Sequence, residues 1–177
     1  ASCLVGSEMC IRDRYTGGGK LYKSANGAAL GTEQGEALRF SNGRELSVLL
    51  TQCGEYAALY ARGAVTLDSA FALPYGAGMV IDGGNSLTLA PGASLACMGN
   101  IWVNGGALTV SDGANITFGN ENARIWANAE DGSSVTGQGL DSITVRYTKK
   151  GISLQADMDA AIRGAYSDEI IHIIDVN

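Results

Sequence analysis

The sequence predicts an all-β chain wound into a parallel β-helix, or β-solenoid, with short capping helices near residues 52–60 and 156–164. Three observations carry this reading. The tetrads MVID (Met79 to Asp82), IWVN (Ile101 to Asn104) and IWAN (Ile125 to Asn128) recur at spacings of 22 and 24 residues. Between them GGNSLTLA and GGALTVS correspond, which sets Leu87 and Leu89 over Leu108 and Val110. Glycine is frequent at 25 of 177 residues and proline rare at 2, so tight corners are plentiful and collagen-like or proline-rich classes are excluded. Strands this short cannot bury a face alone. Stacked at about 4.8 Å, equivalent residues pair in ladders and share one continuous core.

Taken in chain order, residues 15–47 form the tail of a preceding β unit. It includes LRFSNGREL, whose Asn42-Gly43 is a strong hairpin signal. Residues 48–150 form one solenoid unit, opened by a cap helix from about Gln52 to Tyr60. Within it each coil reads as a short strand, a Gly-Gly turn, a second strand, an Asp-Gly or Pro-Gly turn and a third apolar position. PGASL (Pro91 to Leu95), DGANI (Asp112 to Ile116) and DGSSV (Asp131 to Val135) align as that last feature, at spacings of 21 and 19. On this alignment the third coil lacks an equivalent of the ALTVS strand.

Alternation points Met79, Ile81, Ile101, Val103, Ile125, Leu87, Leu89, Leu108 and Val110 inward. Asp82, Asn104 and Asn128 then stack at one corner as a structural ladder, with one carboxylate, too few for a calcium site. A longer repeat pairs residues 46–69 with 151–175, matching Ala57, Ala58 and Leu59 to Ala160, Ala161 and Ile162. Residues 151–177 therefore start a second unit, after a connecting hairpin in ITVRYTKKGISL, and the chain stops mid-strand in a truncated unit.

Charge and cysteine usage narrow the function. The net charge is −6, with no Lys or Arg between Arg62 and Arg124, which argues against nucleic acid as a partner. No run of 18 apolar residues offers a membrane span. Cys53 and Cys97 fit no zinc or redox spacing and read as buried thiols; no metal and no cofactor is implied.

Candidate chemistry is sparse. A hydrolase needs two carboxyl groups facing across a groove, and a lyase needs acidic calcium ligands with a base. Asp112 and Asp131, at equivalent turns on one edge with Arg124 or Arg146 nearby, make the best such constellation. Asp-Gly corners account for both without chemistry. His172, in the alternating run IIHIID, faces solvent without a visible partner. Trp102 and Trp126 align, and with Ile101 and Val103 inward they stand outward, stacked on adjacent coils. Exposed, they would form an aromatic strip able to grip a sugar ring or a partner surface. Alternatively they pack against a flanking loop such as residues 117–123, or turn inward. Tyr56 and Tyr60 fall at helical spacing on the packing face of the cap.

The run from the V-T-L strand through IDGGNSLTLAPGASL and VNGGALTVSDGANI resembles the pectate-lyase-like right-handed β-helix modules of bacterial surface and adhesin-type proteins, over roughly residues 46–177. The resemblance implies a secreted or cell-surface protein, repetitive and multi-domain, acting as a scaffold or binding surface for polysaccharide or a host or cell-surface protein. No catalytic motif transfers, so the expectation is a non-catalytic module. The alternative is a fragment of a carbohydrate-active β-helix enzyme, a polysaccharide lyase or glycoside hydrolase.

The first residues belong to a different story. CLVGSEMCIRDR, residues 3–14, has neither helical nor strand period. Leu4 to Asp13 can be written CTC GTG GGC TCG GAG ATG TGT ATA AGA GAC, followed by AG, and so resembles a translated sequencing adapter rather than protein. Residues 1–14 are thus expected to be a disordered artefact on a metagenomic fragment, and Cys3 and Cys10 carry no structural message.

Overall fold

Short alternating strands joined by glycine corners can bury their apolar side only by stacking, and the computed structural model shows the stack. It describes residues 21–24, 27–32, 34–41, 58–73, 78–149 and 171–176. The chain passes through β1 (Leu21–Ser24), β2 (Gly27–Gly31) and β3 (Leu38–Phe40). Three full coils follow: β4 (Ala58–Arg62), β5 (Ala64–Leu67) and β6 (Ala70–Ala72); β7 (Gly78–Asp82), β8 (Ser86–Leu89) and β9 (Ser94–Cys97); β10 (Ile101–Asn104), β11 (Ala107–Val110) and β12 (Asn115–Phe118). The last described strands are β13 (Ile125–Asn128), β14 (Ser134–Thr136), β15 (Thr144–Lys149) and β16 (Ile171–Val176).

These strands form three sheets. Sheet A runs β1-β2-β4-β7-β10-β13-β15-β16, sheet B runs β14-β11-β8-β5-β3, and sheet C runs β12-β9-β6. All neighbours are parallel except the two outermost pairs of sheet A, β1 with β2 and β15 with β16. The fold is a parallel β-solenoid.

The register explains the core. Leu59, Met79, Ile101 and Ile125 pair in sequence along sheet A, as do Ile81, Val103 and Ala127. Val65, Leu87, Leu108 and Val135 do the same in sheet B, and Phe71, Leu95 and Ile116 in sheet C. All nine side chains expected to point inward are buried. Truncating one of these to alanine removes contacts on the coils above and below, a loss of about 2–5 kcal/mol for Leu or Ile. Outward positions form columns too: Thr66, Thr88, Thr109 and Thr136 align across four coils of sheet B.

The corners need glycine for two separate reasons. Gly84, Gly92, Gly105 and Gly113 have φ between 76° and 79°, a region that costs glycine nothing. Gly106 is needed for space, since a Cβ there would lie 2.5 Å from the Ile81 carbonyl oxygen one coil below.

Three expectations need correction. The cap helix was expected to run to Tyr60, but Ala58–Arg62 is β4, paired with β2 and β7. The local helical propensity of Ala57-Ala58-Leu59-Tyr60 yields to two ladders and the burial of Leu59. The rest of that helix, and the whole of 156–164, lie outside the described residues.

The DGSSV segment was aligned with DGANI, yet Val135 pairs with Leu108, not Ile116. Asp131-Gly132 is therefore a corner between sheets A and B, whereas Asp112-Gly113 turns from sheet B to sheet C. An Asp-Gly pair suits either corner, so the motif does not say which it is. The ALTVS equivalent thought missing from that coil is β14.

Leu38–Phe40 pairs in parallel with β5, and the hairpin expected at Asn42-Gly43 lies outside the described residues. The antiparallel partner of β15 is Ile171–Val176, not the GISL stretch that follows β15 in sequence. The apolar run of β16 supplies a longer ladder than GISL offers. Sheets A and B continue through β2 and β3 into the coils that begin at β4.

Candidate functional site

The two tryptophans lie on the outer face of sheet A because Ile101, Val103, Ile125 and Ala127 beside them face the core. The parallel register sets Trp102 directly against Trp126. Their ring centroids are 5.3 Å apart with planes inclined by 10°, an offset stack repeated at the coil spacing. Val80 below and Val145 above complete the column.

The stack is as expected, and of the two alternatives left open Trp102 follows the packed one. Trp102 is 1% exposed and Trp126 half-buried. Tyr147 of β15 closes one side, meeting Trp102 edge-on at 5.3 Å and Trp126 edge-on at 6.3 Å. Trp102 is thus a packing element, covered by Tyr147 rather than by the 117–123 loop, and of the two indoles Trp126 keeps a partly open face. Its Nε1 donates to Asn100 Oδ1 at 3.2 Å, and the same oxygen accepts the Arg124 backbone N–H at 2.9 Å. That bond fixes the indole against the residue just ahead of β10, in the neighbouring coil.

A polar column borders the aromatic one. Asp82 pairs with Asn104, and Asn128 pairs with Tyr147. The Tyr147 hydroxyl donates to Asn104 Oδ1. Asn128 is itself buried; its Nδ2 donates to Asp131 Oδ2 at 2.6 Å and its Oδ1 accepts the Glu130 N–H at 3.2 Å. Burial raises the Tyr147 phenol above its ordinary pKa, with the Asp131 charge adding to the effect and the Asn104 bond opposing it. The Tyr147–Asn104 bond is thus a coil-to-coil tie, while Asn128 holds its own corner together.

The sequence-derived acid–base constellation is not assembled. Asp112 and Asp131 occupy different corners, for the register reason given above. The Arg124 guanidinium donates to the Glu121 and Ala123 carbonyls at 2.6 and 2.8 Å, tying its own loop. Arg146 is half-buried on β15, opposite Ala127 and Asp175. His172 lies on β16 opposite Thr148, its side chain outside the described residues.

Asp68 pairs with Arg39 at 2.9 Å and accepts the Ser41 hydroxyl at 2.9 Å. The Arg39 bond holds its carboxyl below the usual range despite an opposing contribution from burial. Among the described residues no three His, Cys, Asp or Glu converge as metal ligands.

Cys97 is buried, as expected, and burial pushes its thiol up to about 12, so it is inert as a nucleophile. Cys53 lies outside the described residues. Tyr60, assigned to a helical cap face, is half-buried on strand β4 in line with Val80; Tyr56 lies outside the described residues.

Tyr147 is the residue that sequence reasoning missed. The signal was present: TVRY (Thr144 to Tyr147) continues the tetrad series, with Val145 over Trp126 and Tyr147 over Asn128. Compared with protein-family models, curated proteins and solved structures, the chain finds no significant match.

Proposed function

We propose that this chain is a non-catalytic, extracellular β-solenoid repeat module with a scaffold or adhesion role in a larger bacterial surface protein. Its partner would be a polysaccharide or a cell-surface protein. The supporting observation is the use made of its distinctive side chains. Trp102, Trp126, Tyr147 and Asn104 are spent on joining one coil to another. An architecture held by repeated ties extends by adding coils and presents long regular faces, which suits a stalk or binding surface. Trp126, half-buried and stacked on a fixed neighbour, is where a sugar ring or apolar partner would seat.

Titration of tryptophan fluorescence with a panel of polysaccharides tests the binding role. A saturable change that Trp126→Ala abolishes supports it, and no response to any glycan removes the glycan reading. Incubation with acidic polysaccharides tests the non-catalytic role. Release of unsaturated products or new reducing ends would overturn it.

A further inference from the structure

The polar column on sheet A contains an Asn-Gly pair whose own chemistry is held in check. In such a pair the backbone nitrogen of glycine can attack the asparagine Cγ, because glycine has no side chain to obstruct ring closure. The new N–Cγ bond forms as the Cγ–Nδ2 bond breaks, and ammonia leaves with the glycine N–H proton. Water then opens the resulting succinimide at either carbonyl, giving aspartate or isoaspartate. Three such pairs occur in the chain: Asn26-Gly27, Asn42-Gly43 and Asn104-Gly105.

At Asn104-Gly105 both reacting groups are tied, from two different coils. The Gly105 N–H donates to Ser133 Oγ at 2.8 Å, and that hydroxyl in turn donates to the Val103 carbonyl at 2.7 Å. The nucleophilic nitrogen is thereby held toward the next coil with its proton engaged. The Asn104 carbonyl oxygen accepts the Tyr147 hydroxyl, two coils along sheet A. The amide cannot swing onto Gly105 without breaking that bond. Its Nδ2, the leaving group, is buried and has no hydrogen-bond partner among the described residues, so nothing retains it once the carbonyl is released.

We propose that Asn104-Gly105 is a latent deamidation site, kept closed by Ser133 and Tyr147 acting as positioning residues. Reaction at this place has a structural consequence. It sets a second carboxylate directly over Asp82, its register partner, and close to the Asp131 charge that already acts on Tyr147. Like charges on adjacent coils repel, so the modified coil loosens along the polar column. The site would act as a clock: slow while the stack is intact, and self-propagating once it opens.

Peptide mapping with isoaspartate detection, on the full chain held at mildly alkaline pH, reads each Asn-Gly pair separately. In the native protein Asn104 should react at least tenfold more slowly than in urea. Ser133→Ala should raise the native rate at Asn104 several-fold while leaving Asn26 and Asn42 unchanged, and Ser133→Thr, which keeps the hydroxyl, should restore protection. Acceleration at all three pairs would mean general unfolding and would overturn the specific role. So would a native Asn104 rate equal to that in urea, or a Ser133→Ala rate equal to wild type. Asn104→Asp, which carries the product charge, should melt several degrees lower at pH 8 than the unmodified chain and recover much of that loss at pH 4. An equal loss at both pH values would contradict the repulsion argument.

Discussion

Trp102 and Trp126 stack across two adjacent coils with centroids 5.3 Å apart, yet only Trp126 keeps contact with solvent. That asymmetry predicts unequal costs of truncation. Trp102→Ala leaves a large void between Val80, Trp126 and Tyr147 and should cost about 3–5 kcal/mol. Trp126→Ala loses the stack and part of one face, and should cost about 1–2 kcal/mol. Urea unfolding of the two variants checks the order. Equal losses would mean that the stack, rather than burial, dominates.

The corner glycines separate steric from conformational demand. Gly106→Ala drives a methyl to 2.5 Å from the Ile81 carbonyl oxygen and to 2.7 Å from that of Asp82, so the coil below must move. Gly84→Ala meets nothing within 4 Å and bears only its positive φ, about 1–2 kcal/mol. Thermal melts should therefore place Gly106→Ala clearly below Gly84→Ala. The reverse order would contradict the close stacking of the two corners.

Tyr147 gives the fold an alkaline weakness. Its pKa is higher in the folded chain than in the unfolded one, so the folded state keeps a proton that the unfolded state releases. Stability from this group is complete below the unfolded tyrosine pKa of about 10 and falls as pH rises beyond it. Tyr147→Phe removes the titration but leaves Asn104 Oδ1 without its donor. The variant should be less stable than wild type at pH 7, and the gap should narrow above pH of about 10. Urea midpoints across that range supply the test; a gap that widens would give the shift the wrong sign.

Much of this architecture was legible in the sequence, and the rest was hidden for identifiable reasons. Alternation of period two located Met79, Leu87, Ile101 and Leu108 because a strand with one buried face must alternate. The same rule placed both tryptophans on the outer face correctly. It could not show that Trp102 would be covered, since Tyr147 arrives from two coils away. Ala58 to Tyr60 looked helical because propensity is local, while the ladders to β2 and β7 are not. The Asp131-Gly132 turn was put at the wrong corner because both corners ask for the same left-handed glycine, and that error alone created the Asp112–Asp131 pair.

The central claim is the coil register, and cysteine cross-linking across it is the most direct test. The structure pairs Thr136 with Thr109 in sheet B, and the Thr136 hydroxyl reaches Thr109 Oγ1 at 3.3 Å. Aligning DGSSV with DGANI would pair Thr136 with Thr117 instead. With Cys3, Cys10 and Cys53 replaced by serine, the outward pair Thr109→Cys with Thr136→Cys should oxidise to an intramolecular disulfide. Neighbouring parallel strands hold such positions about 4.8 Å apart, within the span a disulfide needs. Thr117→Cys with Thr136→Cys should stay reduced under the same conditions. A disulfide in the second pair and none in the first would contradict the register, and with it the corner assignment of Asp131.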